Sequence, residues 1–308
     1  MDTMTTTRLL IDTLRDSFGS ALREQVKLAP YTSARIGGPA DVVLTIENAE
    51  ALSNAMRVIW EHNLNYYILG GGSNILVSDK GFRGVVLLNR ARSVRFFADR
   101  EPRVWAESGV VFSNLANRCA AKGLAGIEWA SAVPGTIGGA VYGNAGAFDG
   151  ELSGRLIRAE ILTPTGLETW PVEKFGYGYR TSILKRREVK AAVISAELVL
   201  TQSDRITVTK KLEQFGGERK ASQPPGASMG SMFKNPPGDF AGRLIESAGI
   251  KGARVGNAQI SDRHANFFIN HGQTKASDVR TLIDLAVRTV REKCGVNLEL
   301  EIELVGEW

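Results

Sequence analysis

Hydrophobic positions along this chain alternate between helical and strand spacing, and the changes of period divide it into elements. After Asn48, the apolar residues Leu52, Met56 and Ile59 recur at helical spacing, which predicts a helix capped by the Asn48 side chain. The apolar runs Val42 to Ile46 and Tyr66 to Leu69 on either side predict strands, giving a strand, helix, strand unit that ends at Gly70. A helix is also expected from Arg8 to Phe18. Strands follow at Val85 to Leu88, Val94 to Ala98 and Val104 to Glu107, then a helix from Ser113 to Lys122, and strands at Leu156 to Leu162 and Ala192 to Leu200. The polar stretch Thr201 to Asp204 interrupts this pattern and leads into a charged helix around Val208 to Arg219, so a separate unit is expected from there. That unit should hold a helix near Phe240 to Ala248, strands at Val255 to Ile260 and Asn266 to Ile269, and a long helix from Ser277 to Lys293. Its last strand, Leu298 to Val305, would place Glu299, Glu301 and Glu303 on one face and Leu298, Leu300, Ile302 and Leu304 on the other. The plainest reading of that acidic face is a solvated edge.

Two glycine-rich turns interrupt the periodic segments: Gly70-Gly71-Gly72-Ser73-Asn74, and Pro134-Gly135-Thr136-Ile137-Gly138-Gly139-Ala140 running on to Asn144 and Gly146. Without a Cβ, such turns let backbone N–H groups approach phosphate oxygens. They suggest one anionic ligand held twice; the alternative is that the glycines only shape turns. The dinucleotide pattern G-x-G-x-x-G fails, because Ile75 stands where its third glycine belongs, and no glycine precedes lysine to make a P-loop. A Rossmann dehydrogenase and a P-loop NTPase are therefore disfavoured. A count of 33 glycines in 308 residues exceeds the usual share of about 7% and favours a ligand.

Composition narrows the class further. A chain of 308 residues suggests two or three domains. No apolar run approaches the ~18 residues of a membrane span and no secretory leader is evident, which predicts a cytoplasmic protein. The net charge of +5 suits an anionic ligand, but the basic residues are scattered, and their short clusters Lys185-Arg186-Arg187 and Lys210-Lys211 read as solvated surface. The three histidines form no metal-ligand pair, so neither a zinc site nor a Ser-His-Asp hydrolase is expected. Cys119 and Cys294 lie in helical patterns without redox or metal spacing and read as reduced core thiols. A rival reading, a noncatalytic binder of nucleotide or nucleic acid, has only the basic charge and the glycine turns behind it.

Three further segments combine polar chemistry with turns or strand edges: Tyr179-Arg180-Thr181-Ser182, Gly230-Ser231-Met232-Phe233-Lys234-Asn235-Pro236, and Leu298-Glu299-Leu300-Glu301-Ile302. Together with Thr32 to Asp41, Gly70 to Asn74, Ile127 to Phe148, Ala248 to Gly252 and onward to Asn266, and the terminal Gly306, their order and spacing resemble the UDP-N-acetylenolpyruvoylglucosamine reductase (MurB) family over almost the whole chain. Departures are small. Gly143 stands where methionine is frequent, Phe148 where tyrosine is common and Ile302 where valine is common.

The resemblance implies an α+β protein: a two-part FAD-binding domain of the vanillyl-alcohol-oxidase/PCMH type followed by a smaller substrate-binding domain, with parts at 1–88, 89–204 and 205–308. It implies reduction of the enolpyruvyl ether of UDP-N-acetylglucosamine to a lactyl ether, with NADPH as hydride donor by way of noncovalent FAD. Residues matching the cofactor positions are Arg35, Gly70, Gly71, Gly72, Ser73, Asn74, Pro134, Gly135, Thr136, Gly138, Gly139, Asn144 and Gly146. Those matching substrate positions are Tyr179, Lys234, Asn235, Lys251 and Gln259. Arg180, Ser231 and Glu301 become the catalytic set. Arg180 would grip the carboxylate, Ser231 would give a proton to the α-carbon, and Glu301 would act protonated or through a hydrogen bond or water. A UDP-sugar partner, no nucleic acid, no membrane and a monomer are expected. The run from Arg180 into the strand at Ala192 is short, as in members lacking an extra substrate-capping loop. The alternative within enzymes is another FAD-dependent oxidase or dehydrogenase of this fold acting on a small alcohol or lactone.

Overall fold

A computed structural model describes residues 14, 15, 18–98 and 100–308. The helix expected from Arg8 to Phe18 lies outside the described residues except at 14, 15 and 18. The described residues divide into two compact units, one within 1–24, 42–70 and 84–217 and the other within 25–41, 71–83 and 218–308.

Among the described residues, the first unit is built on two larger sheets. In one, the strands Pro39–Ile46, Phe82–Asn89 and Tyr66–Leu69 are neighbours, with 42–46 and 84–89 inside this unit. Tyr66–Leu69 runs parallel to Phe82–Asn89, and the intervening helix Ala49–Glu61 follows as the periodicity predicts. Asn48 caps that helix by accepting the Ala51 N–H at 2.8 Å. The buried carboxylate of Glu107 adds a second acceptor, taking the Ala49 N–H at 2.9 Å. Leu52, Met56 and Ile59 are fully buried in one core with Val42, Leu44 and Leu87.

The second sheet is antiparallel, in the order Gly166–Pro171, Leu156–Thr163, Ala192–Val199, Arg103–Glu107, Val94–Phe97. Its edge strand Gly166–Pro171 escaped the sequence reading, because exposed and buried side chains alternate there with few long apolar residues. The helix Phe112–Ala121 packs in its core through Phe112 and Leu115. The second glycine segment corrects its reading as a simple turn: Thr136 is the N-cap of a short helix, Ile137–Gly143, whose Ile137, Ala140 and Val141 are buried. Apolar residues at helical spacing outweigh the glycines' low helix propensity. The polar stretch read as a boundary also gains structure, since Thr201–Gln202 pairs with Leu124–Ala125 before the helix Arg205–Ser222.

The second unit builds a core from the helices Ala241–Ser247 and Ala276–Cys294 and the antiparallel strands Arg254–Val255, Ala258–Ile260 and Phe268–Asn270. Phe233 and Phe268 meet edge to face within it, with ring centroids 6.2 Å apart. The strand expected from Leu298 to Val305 is regular only at Glu303–Val305, where it runs parallel to Ile75–Val77. Upstream, Leu300 makes a single bridge to Phe233 and the chain bends at Glu301. The acidic face is accordingly not a free edge: Glu299 is exposed, but Glu301 and Glu303 are half-buried. Cys119 is a buried core thiol as expected, whereas Cys294, the last residue of its helix, is only partly buried.

Candidate active site

In the first unit, the chemistry gathers around the start of the helix Ile137–Gly143. A Cβ on Gly70 would overlap the Thr136 hydroxyl, so glycine is what lets this backbone lie against the helix cap. Gly138 is pressed against Ser108 and donates its N–H to the Ser108 carbonyl at 2.8 Å. Gly139 is different. A Cβ there would meet nothing nearer than Thr136 Oγ1 at 3.8 Å, and the residue is exposed, so open space lies beside it. Arg90, which the sequence reading missed, brings a guanidinium to the same place by donating to the Gly70 carbonyl at 3.0 Å. Its only sequence signal is a cation at the end of the strand Phe82–Asn89. The Ile137 and Gly138 N–H groups are spent on the Val110 and Ser108 carbonyls, at 2.9 and 2.8 Å, so the Thr136 hydroxyl and the Arg90 guanidinium, beside the open space at Gly139, are the groups here that suit a pyrophosphate.

Further along this unit, Asn144 closes the short helix at φ +48° and is buried. Its side chain takes the Ser153 N–H at 3.0 Å and donates to Glu151 and to the Gly178 carbonyl, both at 3.2 Å. It thereby ties the helix end to the segment leading into Tyr179 and Arg180. Arg180 donates to the Gly146 carbonyl at 2.6 Å and lies over the exposed Tyr179 ring at 5.0 Å. Its backbone is left-handed at φ +55°, a conformation costing a non-glycine residue about 1–2 kcal/mol. Surrounding bonds hold it there: buried Ser182 donates to the Tyr142 carbonyl at 2.6 Å, and the Tyr177 hydroxyl donates to the Val141 carbonyl at 2.9 Å. Strain fixed by its neighbours and carrying a cation is a common mark of a working site.

In the second unit, the backbone of Glu301 meets the segment that carries Ser231. Ser231 bridges Phe267 in antiparallel fashion, and the next residue, Met232, donates its N–H to the Asn266 carbonyl at 2.7 Å and accepts the Glu301 N–H at 2.9 Å. Buried Asn266 clamps the following residue with its carboxamide, accepting the Phe233 N–H at 2.9 Å and donating to the Phe233 carbonyl at 2.8 Å. Gly72, at φ +59°, packs so closely that a Cβ would overlap the Tyr31 carbonyl and sit 2.8 Å from the Thr32 Cα. The same segment leads to Asn74, whose side chain donates to the Glu301 carbonyl at 3.0 Å. Arg35 lies in this unit, exposed and at φ +56°.

The residues expected to hold substrate serve varied local roles. Lys234 pairs with Glu299, and Lys251 pairs with Glu246 at 2.8 Å. Asn235 accepts the Ala241 N–H at 3.1 Å, at the start of the helix Ala241–Ser247. Gln259 is buried and engaged on both ends of its amide, by Arg254 at 2.9 Å and His271 at 2.6 Å on the oxygen and by Asp262 at 2.9 Å on the nitrogen. Among the described residues, no group of histidine, cysteine and acidic side chains could hold a metal ion.

Comparison with known proteins gives these two sites a common class. Residues 40–170 match the family model of an FAD binding domain, which defines the protein as a flavoprotein with an α+β fold. Residues 222–305 match the C-terminal domain of UDP-N-acetylenolpyruvoylglucosamine reductase. A protein of that name from Chloroflexus aggregans is 41% identical over 95% of this chain and its own full length. Another, from Bacillus subtilis, is 38% identical over 91% of this chain and 92% of its own. The chain belongs to the UDP-N-acetylenolpyruvoylglucosamine reductase family. The crystal structure of the reductase (MurB) from Thermus caldophilus superposes with a TM-score of 0.78 at 35% identity, over 92% of this chain and 99% of the other.

Proposed function

We propose that the protein reduces UDP-N-acetylglucosamine enolpyruvate to UDP-N-acetylmuramate at the expense of NADPH, a step of peptidoglycan precursor synthesis. Family membership over nearly the full length of a 41%-identical relative carries this reading. When bound, FAD supplies the two-electron carriage between NADPH and the enol ether. Gly70, Thr136, Gly138 and Gly139 would hold its pyrophosphate with Arg90 alongside, in a domain of the vanillyl-alcohol-oxidase type. Arg35, Gly71 to Ser73, the Asn74 backbone without its side chain, Pro134, Gly135, Asn144 and Gly146 complete the candidate cofactor segments.

The net reaction adds two electrons and a proton equivalent to the terminal vinyl carbon and a second proton to the α-carbon, and leaves NADP⁺. Negative charge gathers on the α-carbon and its carboxylate as the double bond is reduced. Arg180 stabilises that charge: its guanidinium is permanently ionised and can grip a carboxylate with paired hydrogen bonds. The preset left-handed backbone lowers the cost of orienting it. Ser231 gives its hydroxyl proton to the α-carbon, which a strongly basic enolate can draw at hydrogen-bond distance, and the serine oxygen regains a proton from solvent. Glu301 contributes a hydrogen bond, directly or through water, because a bare carboxylate would repel the developing charge. Tyr179, Lys234, Asn235, Lys251 and Gln259 are assigned to the UDP-sugar, the last two through the segments they stiffen.

We further assign the parts 1–88 and 89–204 to cofactor and 205–308 to substrate. We also assign the protein to the cytoplasm, acting as a monomer in cell-wall biogenesis and hence in cell shape and division. No helix of the described residues is long and apolar enough to cross a membrane. The test is NADPH oxidation by the flavin-loaded protein with and without UDP-N-acetylglucosamine enolpyruvate. Acceptor-dependent stimulation is expected, and its absence would end the assignment.

A further inference from the structure

The segment Gly70 to Asn74 is assigned above to the cofactor, yet its last side chain is used elsewhere. Glu301 sits in the bend between Leu300, which bridges Phe233, and the regular strand Glu303–Val305. In that bend its carbonyl is outside the parallel ladder, whose first pair is Glu303 with Ile75. Asn74 reaches it from the opposing segment. The Asn74 carboxamide donates to the Glu301 carbonyl at 3.0 Å, and the Asn74 carbonyl accepts the Glu303 N–H, also at 3.0 Å. On its other side Glu301 donates its N–H to the carbonyl of Met232, the residue after Ser231. The backbone of Glu301 is thus pinned twice, once beside Ser231 and once by Asn74.

We propose that Asn74 is a positioning residue for the second half of the reaction: its carboxamide fixes the bend that aims the Glu301 side chain and sets its register against Ser231. The proposal rests on the reading that Ser231 and Glu301 act on the enolpyruvyl group. Only a side chain with an N–H or O–H of the right reach can complete the bend. Alanine leaves the Glu301 carbonyl without this donor, and an ionised aspartate would set a carboxylate against it. Since a displacement of about 1 Å at a reacting group costs up to about 10²-fold in rate, loss of the bond should slow the step that uses Glu301 by about 10- to 100-fold.

The experiment compares wild type, N74A, E301Q and the double variant N74A/E301Q as flavin-loaded proteins. For each, stopped-flow gives the rate of flavin reduction by NADPH and the rate of reoxidation by UDP-N-acetylglucosamine enolpyruvate, and titration of the apoprotein gives flavin affinity. The expected result is N74A with flavin affinity and reduction rate within about threefold of wild type and reoxidation slowed about 10- to 100-fold. In the E301Q background, N74A should add less than about threefold, because a group that acts through Glu301 has nothing left to aim. N74S, which keeps a hydroxyl donor, should recover part of the rate, and it carries the same comparison if N74A does not fold. Weakened flavin binding with both half-reactions slowed together would overturn the proposal in favour of a cofactor contact. An unchanged reoxidation rate, or a full independent effect of N74A on E301Q, would overturn it too. A wild-type protein that the enol ether fails to reoxidise would instead refute the proposed function itself.

Discussion

Removing the Asp79 carboxylate should loosen a helix nearly two hundred residues away in sequence. The helix Ala276–Cys294 begins after Lys275, whose side chain has no acceptor to offer, and Asp79 supplies the cap from outside. It accepts the Ala276 N–H at 2.7 Å, the Ser277 N–H at 2.9 Å and the Ser277 hydroxyl at 2.8 Å. Loss of an N-cap acceptor costs about 0.5–2 kcal/mol, and loss of a negative charge at a helix N-terminus a further 0.3–1 kcal/mol or so. Because Asp79 is exposed, solvent screening places D79A toward the lower half of that sum, about 1.5 kcal/mol. D79N keeps one acceptor oxygen and should lose about half as much.

Partial burial disfavours the Asp79 carboxylate, but the Ser277 and Ala276 N–H groups, the Ser277 hydroxyl and Lys275 outweigh it and hold the carboxyl below its ordinary value of 3.8. A depressed carboxyl contributes stability that is fully present above the unfolded-state pKa and is lost as pH falls through the folded one. Urea unfolding at neutral pH should therefore show a midpoint for D79A lower by about 0.5–1.5 M, taking slopes of about 1–3 kcal/mol/M. The gap from wild type should hold above about pH 5 and narrow as pH drops below 3.8. An unchanged midpoint at neutral pH, or a gap that stays constant down to the lowest pH at which the protein folds, would refute the capping account.

Three other outcomes probe the cofactor and proton-transfer assignments. Gly139→Ala meets no protein atom nearer than 3.8 Å, so unfolding should be nearly unchanged while flavin affinity falls by about tenfold or more; unaltered affinity would remove Gly139 from the cofactor grip. Ser231→Ala should leave flavin reduction by NADPH nearly intact and slow reduction of the enol ether by about 10²-fold or more, whereas equal slowing of both would make Ser231 structural. Denaturation should release all flavin from the polypeptide, since Cys119 is buried and burial pushes its thiol up to about 12; flavin remaining attached after denaturation would contradict this.

Local signals in the sequence anticipated the elements whose causes are local. Asn48 with Leu52, Met56 and Ile59 fixed a helix correctly because cap and buried stripe lie within one segment. The glycines of 134–140 concealed the helix Ile137–Gly143, since its stability comes from the burial of Ile137, Ala140 and Val141 against distant residues. Asp79 could not be read as a cap because its helix begins at Ala276. The Leu298 to Val305 alternation predicted a longer strand than forms, because only Glu303–Val305 finds a ladder partner, while Glu301 bends to meet Asn74. Arg180, Ser231 and Glu301 stood out only through their motifs. Neither the left-handed backbone at Arg180 nor the Asn266 clamp beyond Ser231 leaves a periodic trace.

The passage of electrons from NADPH to the enol ether of a UDP-sugar on this protein is what the proposed function requires. It is tested most directly by reducing the flavin-loaded protein anaerobically with NADPH, removing excess nucleotide, and titrating with UDP-N-acetylglucosamine enolpyruvate while following flavin absorbance and product mass. Full reoxidation by one equivalent, with formation of the lactyl ether, is the predicted result. A reduced protein that stays reduced in excess enol ether, yet reoxidises with a small ketone or quinone, would contradict it.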